Sequence, residues 1–213
     1  MKRYILPLLL SIFCANATVV AETDLPLSIQ VDRPVATIQA FTDNEAFADL
    51  EAAEYVALMS QNIDTLPVSK ETRRAADILA RTYKAAGRIG ADNLAIWATV
   101  AGKRTNLSPR LLLSLACHES SCDPHKRSRK GAQGFMQIMP LWGDSRKELA
   151  DYRFSLVRGA EILAYYRDEV CRGHLQCALQ VYNVGESNYA NGMRNRKYVD
   201  SVASILRTVG GRI

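Results

Sequence analysis

Leu111-Leu112-Leu113-Ser114-Leu115-Ala116-Cys117-His118-Glu119 is a nearly continuous apolar run that ends on a carboxylate. Ser108 and Pro109 precede it, an N-cap residue followed by one tolerated at the first helical position, so a helix starts there. Asp123-Pro124 forbids its continuation, because the proline ring disfavours helical backbone in the residue before it. Glu119 therefore falls in the last turn. Leu112, Leu115 and Ala116 lie seven, four and three residues before it. Those spacings stack side chains on one helical stripe, so Glu119 should face whatever that stripe buries. Removal from water disfavours the charged form of a carboxylate and raises its pKa, which keeps it able to donate a proton near neutral pH.

The chain around this helix has 213 residues and 48% apolar content, enough to bury a sizeable core as one domain with an appendage. Its start differs from the rest. Lys2 and Arg3, the apolar run from Ile5 to Phe13 and the small residues after it read as a signal peptide over residues 1–21. Cleavage fits after Ala17 or after Ala21, and the second site is preferred. Phe13 stands where a lipoprotein needs a small residue before Cys14, so lipid anchoring is not expected. The run is too short to stay in a bilayer as a stable transmembrane helix. The expected location is the periplasm or cell envelope.

Four cysteines follow the leader: Cys117, Cys122, Cys171 and Cys177. In an oxidising compartment an even number predicts disulfides, and three connectivities are open. Cys171 with Cys177, across a short Gly-containing turn, is the first choice. Cys117, His118, Cys122 and His125 cluster near Glu119, but their spacing matches no usual zinc pattern, so no metal and no other cofactor is expected.

Charge divides the chain. Residues 22–66 carry nine Asp or Glu against one Arg, a net of −8, while 67–213 carry 13 acidic and 24 basic residues, a net of +11. A basic body seeks an acidic partner, and export removes nucleic acid from the candidates. Pro26 and Pro34 suit an extended lead-in over 22–41, and Thr42-Asp43-Asn44-Glu45 forms a capping box for a helix to about Ser60. Ser69 caps a second helix that Gly87 should end, Asp92 starts a third that Gly102 should close, and Lys126 to Gly143 reads as a loop with short irregular or hairpin structure. Leu156, Ala160, Leu163 and Val170 share a face of a later helix, and Ala178 to Val184 begins or forms another. His125 and His174 read as surface residues and Trp97 as core.

Three motifs carry chemistry. His118-Glu119-Ser120-Ser121-Cys122-Asp123-Pro124 is followed by Gly131-Ala132-Gln133-Gly134-Phe135-Met136-Gln137-Ile138-Met139-Pro140 and then by Ala178-Leu179-Gln180-Val181-Tyr182-Asn183-Val184-Gly185. In order and spacing these resemble the soluble lytic transglycosylase family, over roughly residues 91–206. The resemblance implies a mostly α chain. A lysozyme-like catalytic domain at 91–213 would hold a small irregular or β-hairpin segment and follow an N-terminal helical appendage within 22–90.

By the same resemblance Glu119 is the catalytic acid/base, and Ser128 hydrogen-bonds a sugar. Gln137 and Met139 line subsites beside the scissile bond, and Gly134 allows close backbone approach. Tyr182 brings its hydroxyl near the catalytic carboxyl, and Asn183 sits near an acetamido group. Tyr198-Val199, ahead of the final helix, resembles the family's closing segment. Cys122 departs from the family's aromatic, Phe135 from leucine, Gln180-Val181 from small residues and Leu141-Trp142 from a polar continuation. A disulfide from Cys122 to Cys117 or a later cysteine would hold the helix end that aromatic packing holds elsewhere.

The implied activity is cleavage of the bond between N-acetylmuramic acid and N-acetylglucosamine in peptidoglycan glycan strands, leaving a 1,6-anhydro end. Two alternatives stand beside it. One is a goose-type lysozyme-like hydrolase, with Asp144, Glu148 or Asp151 as second carboxylate. The other is a non-catalytic peptidoglycan-binding component of an envelope-spanning machine, which the acidic appendage would select. The run Lys126-Arg127-Ser128-Arg129-Lys130 has two readings: attraction to peptide-stem carboxylates, or a solvated loop.

Overall fold

The structure, a computed structural model, describes residues 66–140 and 144–213. The leader at 1–21, the lead-in at 22–41, the capping-box helix at 42–60 and the Leu141-Trp142 departure lie outside the described residues. Within them the order is α1 (Lys70–Thr82), α2 (Lys84–Ile89), α3 (Ala91–Thr105), α4 (Pro109–Ser120), α5 (Arg146–Leu149) and α6 (Tyr152–Tyr165). A π-helical turn (Tyr166–Val170), α7 (Leu175–Val184), α8 (Glu186–Ala190) and α9 (Arg196–Thr208) follow. This is the mostly helical architecture the sequence predicts. The small segment between α4 and α5 is irregular, with isolated antiparallel bridges pairing Gln133 to Arg127 and to Ile138, and no strand forms among the described residues.

Helix α4 is the axis of the core. Every side chain from Leu111 to Cys117 is buried, so burial is not confined to the stripe of Leu112, Leu115 and Ala116. A helix apolar on all sides needs neighbours on all sides. Helices α1, α3, α6 and α9 supply them. Ala75, Ala76 and Leu79 of α1, Leu94 and Trp97 of α3, Leu156 and Leu163 of α6, and Val202 and Leu206 of α9 share one core cluster with it. Trp97, at 4% exposure, is core as expected, while His125 and His174 lie at the surface.

Helix ends depart from the sequence reading wherever a glycine turned out to be packed. Ser69 caps α1 by accepting the Thr72 N–H at 3.1 Å, as expected, but the helix stops at Thr82 and a second one carries Gly87 in its interior. A Cβ at Gly87 would meet the Ala80 carbonyl oxygen at 2.9 Å, so this glycine is there for close packing. The stop comes instead at Gly90, whose φ of +92° favours glycine. Gly102 likewise lies inside α3, which runs on to Thr105 and ends at left-handed Asn106. A Cβ at Gly102 would crowd the Leu107 carbonyl at 2.7 Å. Val170 belongs to the π turn, closed by Cys171 N–H donating to the Tyr166 carbonyl at 2.9 Å, and Tyr198-Val199 lie within the final helix, not ahead of it.

Helices α4 and α9 run side by side in opposite directions. Arg110, at the start of α4, donates to the Gly210 carbonyl just beyond α9 at 2.6 Å. At the other end Glu119 of α4 meets Tyr198 of α9. That second contact locates the site.

Candidate active site

Glu119 is the penultimate residue of α4, where the all-round burial of the helix gives way to partial exposure. Two consecutive left-handed residues, Ser121 and Cys122, both with φ of 59°, end the helix, and the Ser121 N–H donates to the Cys117 carbonyl at 2.9 Å. Cys122 closes a disulfide to Cys117, one of the two partners the sequence left open, and Cys171 pairs with Cys177. The buried Ser120 hydroxyl ties this helix end to the next motif, reaching the Phe135 carbonyl at 2.8 Å and accepting the Asp123 N–H at 3.0 Å. Glu119 thus sits on a braced terminus.

The side chain of Glu119 accepts a hydrogen bond on Oε1 from the Tyr198 hydroxyl. Burial raises the carboxyl pKa from its ordinary 4.5 to about 7, and the Tyr198 hydrogen bond, which favours the charged form, pulls against that rise. Tyr198 itself is pushed well above the usual phenol value, first by burial and then by the neighbouring carboxylate, so it stays a donor. His118 packs edge-on against the Tyr198 ring at 4.7 Å between centroids, and burial lowers its pKa. The imidazole next to Glu119 is therefore neutral at neutral pH and does not hold the carboxyl ionised.

The loop after α4 supplies the second wall. Ser128 accepts the Ala132 N–H on Oγ at 2.9 Å and keeps its own hydroxyl proton to donate. Gly134, with φ of +78°, is buried, and its missing Cβ makes room for the Leu149 carbonyl. Its close approach is thus to protein backbone. Gln137, itself left-handed at φ 50°, spends its amide nitrogen on the Lys126 and Gly134 carbonyls, both at 3.0 Å, leaving Oε1 as the free end. Met139 is half-buried at the loop's end. The exposed basic residues Lys126, Arg127, Arg129 and Lys130 flank Ser128.

The third wall is the end of α7. The Tyr182 hydroxyl donates to the Met136 carbonyl at 2.9 Å, locking α7 to the loop. Burial first, and the charge of Glu119 second, raise its pKa well above the ordinary value. The Tyr182 ring also meets Tyr166 edge-on at 6.4 Å. Asn183 is exposed, and its Oδ1 accepts from Asn195 Nδ2 at 2.7 Å. The residue that sequence reasoning left without a role is Tyr198. Its signal was modest: a tyrosine at the head of an apolar stripe with Val202 and Leu206.

The three carboxylates after the second motif are engaged elsewhere. Asp144 is paired with Arg158 at 3.2 Å, with side chains 4% and 10% exposed. Glu148 closes a capping box with Ser145 at the start of α5. Asp151 caps α6 through the Arg153 N–H at 2.9 Å and pairs with the Arg153 guanidinium at 2.5 Å. Burial alone would raise Asp151, but the hydrogen bonds and charge of Arg153 outweigh it and hold its pKa below the ordinary 3.8.

The model of the transglycosylase SLT domain matches residues 97–203, which span α3 to α9 and contain every side chain of the site just described. A transglycosylase of Enterobacteria phage PRD1 is 32% identical over 120 residues. That stretch is 54% of this chain and 44% of the phage protein, so the chain spans less than half of that relative. With half of its length matched by the family model, the chain belongs to the transglycosylase SLT domain family.

Proposed function

We propose that this chain is a peptidoglycan lytic transglycosylase in which Glu119 works alone. Glycosidases ordinarily use two carboxylates, one to protonate the leaving oxygen and one to act as nucleophile or to activate water. The observation that carries the proposal is Glu119 on its braced helix end, raised to about 7 and hydrogen-bonded by Tyr198, while Asp144, Glu148 and Asp151 are each committed to an ion pair or a cap. A carboxyl with a pKa near ambient pH donates and accepts a proton with similar ease.

The protonated Glu119 gives its proton to the oxygen joining C1 of N-acetylmuramic acid to the next sugar, and the C1–O bond breaks. The neighbouring acetamido oxygen stabilises the cation that develops at C1. Glu119, now a carboxylate, takes the proton from the muramoyl C6 hydroxyl as that oxygen bonds to C1. A 1,6-anhydro ring forms, no water is consumed and Glu119 ends as it began. Tyr198 matters in the middle of this cycle, since its hydroxyl supports the carboxylate form. Ser128, Gln137, Met139, Tyr182 and Asn183 line the strand in this reading, Gly134 supports the loop from beneath by packing on the Leu149 carbonyl, and the basic loop at 126–130 attracts stem-peptide carboxylates.

The setting follows from the same reading. An export signal at 1–21 delivers the protein to the periplasm, where it opens or remodels the wall, within an envelope machine chosen by the acidic segment 22–66. No helix among the described residues is long and apolar enough to cross a membrane. Digestion of purified sacculi followed by mass spectrometry tests the reaction. Anhydro muropeptides, one water lighter than hydrolytic ones, are the expected products. Reducing ends alone would assign hydrolysis, and binding without release of muropeptides would assign a non-catalytic role.

A further inference from the structure

Asn183 and Asn195 are oriented by one chain of hydrogen bonds. Asn195 is the N-cap of α9, and its Oδ1 accepts the Tyr198 N–H at 3.1 Å. Only the oxygen of a carboxamide can accept that proton, so the Asn195 amide has a fixed sense and its Nδ2 points the other way. There it donates to Asn183 Oδ1 at 2.7 Å. The Asn183 oxygen is thereby used. Its Nδ2 makes no hydrogen bond among the described residues, and it is the group that this exposed side chain offers. Asn183 follows Tyr182, whose hydroxyl is anchored at Met136 in the middle motif. Asn195 thus links the α7 wall to the helix that carries Tyr198 and, through it, to Glu119.

Resting on the reading of the cleft given above, we infer that Asn195 is a positioning and specificity residue: it makes Asn183 present a donor, so that the site selects the acetamido carbonyl of an N-acetylated sugar. A half-buried cap is a robust way to set this polarity, because reversing the Asn183 amide would leave two NH2 groups facing each other with no acceptor between them. Sites that satisfy a ligand hydrogen bond in this manner discriminate through the group left unpaired when the partner is wrong.

Asn195→Asp tests the assignment with little disturbance to the fold. Aspartate is as good an N-cap as asparagine and still accepts the Tyr198 N–H, but it has no donor for Asn183. Asn183 must turn its Nδ2 toward the new carboxylate and show its oxygen to the ligand. The probes are the tetramer of N-acetylglucosamine and the glucose tetramer of the same linkage, which lacks acetamido groups. Both are measured by calorimetry on the full chain. The wild type is expected to prefer the acetylated tetramer, and Asn195→Asp to shrink that preference by about tenfold. Asn195→Ser, a cap that lacks the amide NH2 but brings no carboxylate to turn Asn183, should shrink it less, and in an Asn183→Ala background Asn195→Asp should have no further effect on the ratio.

An unchanged ratio in Asn195→Asp overturns the inference, as does an equal effect in the Asn183→Ala background or a wild type that does not distinguish the two tetramers. Binding of these probes does not depend on cleavage. A protein that shows the expected ratios yet releases no muropeptides keeps the role of Asn195 and loses the catalytic reading.

Discussion

Glu119 at the end of α4 and the acids of residues 144–151 are all sheltered from solvent to some degree, yet they meet different partners. Asp144 and Asp151 each face an arginine, and Glu148 faces the Ser145 backbone N–H at a helix start. Glu119 faces a phenol, with a neutral imidazole beside it on the chain. The first set serves to fix α5 and α6. Glu119 is left near its titration point. Among the described residues no cation stands beside Glu119, and that, more than the depth of burial, sets it apart from these structural acids.

The widest gap between the two regions should appear on removing the titrating proton. Glu119→Gln is nearly isosteric and should lower muropeptide release by about a thousandfold or more. Its effect on stability has the opposite sign. A carboxyl with a raised folded pKa destabilises the fold increasingly as pH rises from 4.5 through about 7. Glu119→Gln should therefore melt higher than the wild type at pH 8, by on the order of 2 kcal/mol, and match it below pH 4.5. Thermal unfolding at the two pH values checks this, and a variant less stable at both would mean that the carboxylate is held by an unseen positive partner.

Tyr198→Phe sharpens the contrast from the other side. The hydroxyl lowers the Glu119 pKa, so its loss should raise that pKa further. The fall in kcat/KM on the alkaline side should move to higher pH, with a rate at neutral pH roughly tenfold lower. A drop in rate with no movement of the pH profile would reduce Tyr198 to packing.

A smaller effect belongs to the structural acids. Asp151→Ala removes the α6 cap and should cost about 1 kcal/mol at pH 7. Because the folded pKa of Asp151 is depressed, its contribution is present above about 3.8 and is lost as pH falls below that value. Denaturant melts at pH 7 and pH 3 should show the gap between variant and wild type closing, while the pH profile of activity stays in place.

Much of this was legible in the chain. Helical spacing and three motifs in order pointed to the mostly helical fold, and an apolar run ending on a carboxylate pointed to the raised pKa of Glu119, because spacing and residue type are local properties. The disulfide of Cys171 with Cys177 was legible for the same reason, being a six-residue step across a turn. Tyr198 was not, since its bond to Glu119 joins residues 79 apart and no local pattern encodes it. Gly87 and Gly102 misled because a glycine required by close packing looks the same in sequence as one that ends a helix. The fixed sense of the Asn183 amide was hidden too, since it depends on a cap in a different helix.

The proposed cycle turns on the protonation of one side chain, and that can be read directly. With the glutamate carboxyl carbons labelled, NMR titration of the folded protein, assigned by the signal missing in Glu119→Gln, should give Glu119 a midpoint near 7. A midpoint near 4.5 would contradict the account, because a carboxyl fully ionised at neutral pH could not be the acid that starts the cycle.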